Sequence, residues 1–151
     1  MASATEIAFV TAAAMLDNAI NTLLNSGTGD GILNIYTGAP PVDCEAAPTG
    51  TLLGTCILNA TPFGAAADLV PNARITANAI TSDTSADATG VAGYFRAYST
   101  TASTDASKVT CYIQGSAGEA ADATDLILDD KNIVIGGTIA VTSWTITMPE
   151  A

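Results

Sequence analysis

Residues Gly90 to Ser99 read GVAGYFRAYS, and the alternation within them decides the fold class. In an extended strand successive side chains point to opposite faces. Val91, Phe95 and Ala97 therefore share one face, and Tyr94, Arg96 and Tyr98 share the other. On both sides of this stretch the same texture repeats, with short runs of Ile, Val, Leu and Thr interrupted by Gly, Pro, Asn and Asp clusters about every ten residues. The runs predict strands over Ile32–Thr37, Thr51–Asn59, Ala73–Ile80, Val91–Ser99, Lys108–Gln114, Asp125–Leu128 and Gly137–Met148. Strands of this number can pack as two layers face to face. The expected fold is mainly β, an antiparallel sandwich or jelly-roll-like domain over residues 28–151 with one N-terminal amphipathic α-helix.

Turn chemistry supports the strand reading. Asp30-Gly31 and Gly136-Gly137 can take the positive φ angles that reverse a chain. GAPPVDCEAAPTG, from Gly38 to Gly50, carries three of the six prolines and reads as an extended surface connection. Thr81–Gly90 and Ser99–Ser107 read as polar loops. In the last run Ile139 and Val141 share one parity, whereas Trp144, Ile146 and Met148 share the other, so a bulge is expected near Thr142 or Ser143. Trp144 is expected in the core, and Pro149 ends the strand.

Residues 1–27 read differently. Ser3-Ala4-Thr5-Glu6 is a capping-box pattern, and Phe9, Ala13, Leu16, Ile20 and Leu23 recur at intervals of three and four until Gly27 offers a stop. A helix from about Thr5 to Asn25 is expected, either covering the β domain or joining copies of the chain.

Four basic residues face fifteen acidic ones, for a formal net charge of -11 over 151 residues. That balance excludes recognition of a phosphate backbone or an anionic membrane, both of which need clustered Lys and Arg. Glu6 and Asp17 interrupt the N-terminal apolar stretch, which lacks the basic start of a leader and the roughly twenty apolar residues of a membrane span. A soluble protein made in a cytoplasm is expected. Three cysteines with no histidine build neither a Cys/His zinc site nor a disulfide framework. Cys56 and Cys111 read as small buried hydrophobes in strands, with a Cys44–Cys56 bridge as the alternative.

The chemistry for catalysis is also thin. Without histidine no Ser/His/Asp or Cys/His mechanism can be written, and Lys108 and Lys131 read as solvated surface charges. Glu119, Asp122, Asp125, Asp129 and Asp130 could in principle supply the paired carboxylates of a glycosidase. With Asn132 they could also supply oxygen ligands for calcium, but their spacing is not that of an EF-hand. They read instead as solvated turn residues, and no catalytic, cofactor or metal site is expected. The Tyr94, Arg96, Tyr98 stripe has the composition of a binding hot spot. It also suits a cross-strand ladder in which Arg96 pairs with an acid of its own chain.

Four segments carry a wider likeness: LLNSGTGDGILNIYTGAPP, TGTLLGTCILNATPFGAAA, ITANAITSDTSADATGVAGYFRAY and IVIGGTIAVTSWTITMP. In this order the chain resembles a family of small virion-associated proteins encoded in the structural gene blocks of tailed bacteriophages. The resemblance implies a non-enzymatic structural role, most simply a capsid decoration (cement) protein on the outer head surface. Its partners would be the major capsid protein and copies of itself, with a trimer as the expected oligomer. A tail, neck or fibre component and a carbohydrate- or receptor-binding module are the alternatives.

Overall fold

The computed structural model describes residues 7–26, 30–99 and 111–150. It is mainly β with one N-terminal helical segment, as the alternation predicts. The strands are β1 (Ile32–Thr37), β2 (Leu52–Ile57), β3 (Ala67–Asp68), β4 (Asn72–Thr76), β5 (Gly90–Tyr98), β6 (Ile113–Gly118), β7 (Leu126–Leu128), β8 (Asn132–Ile133) and β9 (Val141–Pro149). Hydrogen bonding joins them in the order β2-β1-β5-β6-β7-β9-β4-β3, and β8 pairs with the start of β5.

Strand pairing is antiparallel except between β6 and β7, which run parallel with Ala117 opposite Leu126 and Gly118 opposite Ile127. This corrects the all-antiparallel expectation, and the cause is local. Glu119 and Asp122 form a capping box around the 3-10 turn Ala120–Asp122, and Ala123 takes a left-handed conformation (φ 53°). The chain is thereby turned back so that Asp125 Oδ2 accepts from Ser116 N at 2.9 Å.

Neighbouring strands in a sheet lie about 4.8 Å apart, so β5 and β9, three steps apart in the order, would be about 14 Å apart in a flat sheet. Yet the Trp144 and Phe95 ring centroids are 5.1 Å apart, edge to face at 72°. The sheet must curl until β5 and β9 share one core. Phe63 closes the cluster from the other side of Trp144, at 4.7 Å and 62°. Leu33, Ile35, Leu53, Ile75, Leu126, Leu128 and Ile139 fill the remainder, all buried. Removing each from water contributes roughly 1.5–3 kcal/mol.

The expected change of phase in the last strand is present. Ile127 faces Ser143 and Leu128 faces Val141, so the ladder skips Thr142 and turns Trp144 inward. Gly136 takes φ 76° as a turn glycine. Gly31, expected to do the same, does not. A Cβ there would stand 2.6 Å from Leu24 O and 3.0 Å from Tyr98 O, so the position needs room rather than a left-handed φ. β3 and β8 are two-residue strands with no alternation to read. Of the Lys108–Gln114 run, Lys108 to Thr110 lie outside the described residues, and β6 starts at Ile113 and continues to Gly118.

The helical segment begins at Phe9 with no side-chain cap, and the Ser3–Glu6 pattern and Gly27 lie outside the described residues. It comprises α1 (Phe9–Ala14), a π-helical stretch (Met15–Ile20) and α2 (Asn21–Leu24). A π turn holds more residues than an α turn. Residues four apart, Ala12, Leu16, Ile20 and Leu24, therefore stay in line instead of drifting around the rod as they do at 3.6 residues per turn. Ala12, Leu16 and Leu24 join the main core, whereas Leu23, expected on the buried face, is exposed. Polar side chains complete the docking: Ala66 N donates to Asp17 Oδ1 at 2.9 Å, Phe63 N to Asn21 Oδ1 at 2.8 Å, and Asn25 Nδ2 to Ala60 O at 2.8 Å.

Candidate interaction surface

Tyr94, Arg96 and Tyr98 do share one face of β5, in a ladder where Arg96 stands between Asn34 of β1 and Gln114 of β6. That face is not offered to a partner. Tyr94, Arg96 and Tyr98 are 0%, 2% and 7% exposed, because residues 38–50 lie across them as a strap. The surface connection expected from the prolines is thus the cover of the Tyr94, Arg96, Tyr98 stripe, which is buried within the chain.

The strap is held through its backbone. Arg96 Nη1 donates to Ala46 O at 2.8 Å and Nη2 to Cys44 O at 2.6 Å. Gln114 Nε2 donates to Pro41 O at 2.9 Å. The Tyr94 hydroxyl accepts from Thr49 N at 2.9 Å and donates to Thr49 O. An extended, proline-bearing segment makes few hydrogen bonds of its own, so its carbonyls are free to be taken by a guanidinium fork. Among the described residues Arg96 thus pairs with carbonyl oxygens rather than with an acid. At the strap's far end Gly50 (φ 73°) lies so close to Thr37 that a Cβ would be 2.2 Å from Thr37 O. Inside it, Asp43 Oδ1 accepts from Glu45 N and Ala46 N at 2.9 and 2.7 Å, fixing the turn.

Aromatic packing and burial set the electrostatics. Tyr36 stacks on Tyr94 at 5.0 Å and 12°, and Arg96 Cζ lies 5.7 Å from the centre of the Tyr98 ring. Burial, with a smaller contribution from Tyr36, pushes the Tyr98 phenol well above its ordinary range. Burial also pushes the Cys111 thiol up to about 11, against the pull of Arg96. For Arg96 burial works against the charge, and its interactions with Cys111, Tyr98 and Cys44 outweigh it.

Cys56 is a buried residue of β2, as expected. It lies in the main core, its Sγ donating to Ile139 O at 3.5 Å, whereas Cys44 of the strap packs with Cys111, Tyr98 and Ile32. Cys44 and Cys56 are therefore not partners. Cys111 is buried as expected, but just before β6 rather than in a strand.

The acids from Glu119 to Asp130 serve their own turns. Asp122 accepts from Glu119 N and pairs with Lys131 at 2.8 Å, Asp125 holds Ser116, and Asp130 Oδ1 accepts from Asn132 N at 2.7 Å. Among the described residues no three His, Cys, Asp or Glu side chains converge on a metal position. The polar stretch Thr81–Gly90 is tied down as well. Asp87 N donates to Leu53 O, Ala86 N to Gly137 O, and Asp83 Oδ2 accepts from Thr55 N.

Among the described residues, exposed apolar side chains gather on the helical segment and beside β8. On the helical segment Val10, Met15 and Leu23 are 71%, 48% and 41% exposed. Met15 and Leu23 line a shallow groove with Ala14 and Ala19. Asp17 is the sole charged residue of positions 9–24, and its Oδ1 is turned to Ala66 N, so this outer face carries no charge. Where β5 begins beside β8, Val91, Val134 and Ile135 are also more than half exposed. They are brought side by side by the β5–β8 pairing and by the Ile135 N to Thr89 Oγ1 bond of 2.9 Å. The signal for the first surface is in the sequence: a helix with one charge cannot have a charged outer face. No helix among the described residues is long and apolar enough to cross a membrane. Compared with protein-family models, curated proteins and solved structures, the chain matches none.

Proposed function

We infer that the chain is a non-enzymatic assembly protein whose copies join through the outer face of the helical segment. The observation that carries this reading is the uncharged apolar face of Val10, Met15 and Leu23 on a chain of net charge -11. Contiguous exposed apolar surface marks association sites. On so acidic a molecule like-charged copies meet with least repulsion where no carboxylate stands. The Val91, Val134, Ile135 patch supplies a second contact, by which an oligomer engages a different protein.

The ordered likeness to tailed-phage virion proteins supports a specific setting, a capsid decoration protein bound to the outer head surface through the major capsid protein. A strong negative charge suits the outside of a DNA-filled shell better than its lining.

Light scattering on the purified chain tests the first part. An oligomer is expected, tightening as salt screens the net charge, and Met15→Asp or Leu23→Asp should return it to monomer. A wild-type monomer at all salt concentrations overturns the helix-face reading. Quantification on purified DNA-filled particles tests the second part: a copy number tied to the capsomers supports decoration, and absence from the particle ends it.

A further inference from the structure

We propose that Cys44 and Cys111 form an oxidisable dithiol site, which a low-molecular-weight disulfide such as oxidised glutathione converts into an intramolecular bridge that locks the strap to the β5 face. Cys44 belongs to the strap and Cys111 to the chain entering β6, and the two pack in one small cluster with Tyr98, apart from the main core. The Cys111 thiol donates to Ile113 O at 3.1 Å and packs with Cys44 in this cluster. Arg96 touches both residues, donating to Cys44 O at 2.6 Å and lying against the Cys111 thiol. A guanidinium beside a thiol favours the thiolate that attacks a disulfide. Cys56 is outside this arrangement, in the main core against Ile139.

The reaction balances in two exchanges. Cys44, the more accessible of the pair, attacks oxidised glutathione as its thiolate; a sulfur–sulfur bond forms on Cys44, the glutathione disulfide breaks, and one glutathione leaves. Cys111 then attacks the Cys44 sulfur, the mixed disulfide breaks, and the second glutathione leaves. Two protein thiols are oxidised, one disulfide is reduced to two thiols, and the protons released from the cysteines pass to the leaving thiolates. Because burial pushes the Cys111 thiol up to about 11, its thiolate is scarce near neutrality, and the second exchange should quicken about tenfold per pH unit there. Among the described residues the groups facing Cys111 are Arg96 and Tyr98 of β5 and Cys44 of the strap, with Tyr36 acting on Tyr98. Both thiols stay free in a reducing cytoplasm, and the bridge closes on transfer to oxidising surroundings.

The test treats the full chain with oxidised glutathione and maps disulfides by mass spectrometry after thiol alkylation. A Cys44–Cys111 peptide is expected, with Cys56 alkylated only after denaturation, and Cys56→Ser should close as the wild type does. Cys111→Ser should halt at a glutathione adduct on Cys44. Cleavage after Glu45 by a glutamate-specific protease should slow about tenfold on oxidation and recover on reduction. A bridge involving Cys56, bridges between chains only, or no bridge in the folded wild type and Cys56→Ser proteins would overturn the proposal. The wild-type and Cys56→Ser maps decide the matter even where Cys111→Ser does not fold.

Discussion

The strapped face of β5 and the outer face of the helical segment are opposites in composition and in fate. The first is rich in tyrosine and arginine, the side chains that dominate binding hot spots, and its own chain covers it. The second holds Val10, Met15, Leu23 and alanines, and it stands open. The difference lies in whether the backbone nearby needs donors. A proline-bearing segment with unused carbonyls runs past Arg96, Tyr94 and Gln114, and these are the side chains able to satisfy it. The helical rod satisfies its own backbone, and its outer apolar side chains Val10, Met15 and Leu23 stand exposed. Hot-spot composition therefore marks a place where something docks without saying whether the guest is a partner or the host's own loop.

Substitutions can break this contrast. The largest effect is expected from Arg96→Ala, which leaves Cys44 O and Ala46 O without their charged donor; a loss of about 2–4 kcal/mol in urea unfolding is expected, with rapid proteolysis of the strap. Unchanged strap protection in that variant would show that the guanidinium does not hold it. Tyr94→Phe keeps the stack on Tyr36 and removes both bonds to Thr49, so about 1–2 kcal/mol should be lost. On the open face Met15→Asp should alter the stability of the subunit by no more than about 0.5 kcal/mol while abolishing association. A large loss of stability there would mean that the face is covered in the subunit after all.

Alkali probes the strapped face by another route. The thiols of Cys56 and Cys111 rise from 9.0 to about 11 on folding, chiefly through burial. A group whose pKa is raised in the folded state contributes stability that is intact below its unfolded pKa and is lost as pH climbs through the folded one. The thermal midpoint should accordingly fall between pH 9 and 11, and Cys56→Ala should blunt the fall. The smallest effect belongs to the exposed Lys131–Asp122 pair. The hydrogen bond from Lys131 lowers the Asp122 pKa, so any contribution is present above the ordinary carboxylate range and fades as pH drops through the lowered value. High salt should erase the difference between wild type and Lys131→Met.

Alternation made β1 and β5 readable, because each strand has one face in the core, and the break of parity around Thr142 announced a bulge that the ladder contains. The inward Trp144 was equally legible. What escaped depended on distant contacts. The parallel β6–β7 pair follows from a left-handed Ala123, a residue type that gives no hint of it. The buried edge of the rod moved from Leu23 to Leu24 because a π turn changed its pitch. The strap over Tyr94, Arg96 and Tyr98 joins residues about fifty positions apart, which no local pattern encodes.

The side chains that sew the rod to residues 60–66 act on amide groups that come later in the chain. Asp17 and Asn21 take the amide protons of Ala66 and Phe63. During synthesis the rod leaves the ribosome before residues 60–66 and has no seat until they follow. Exchange of these two amides with deuterium thus reports the seating of the rod, and its slowing on a nascent or refolding chain would time the moment at which the rod joins the β domain.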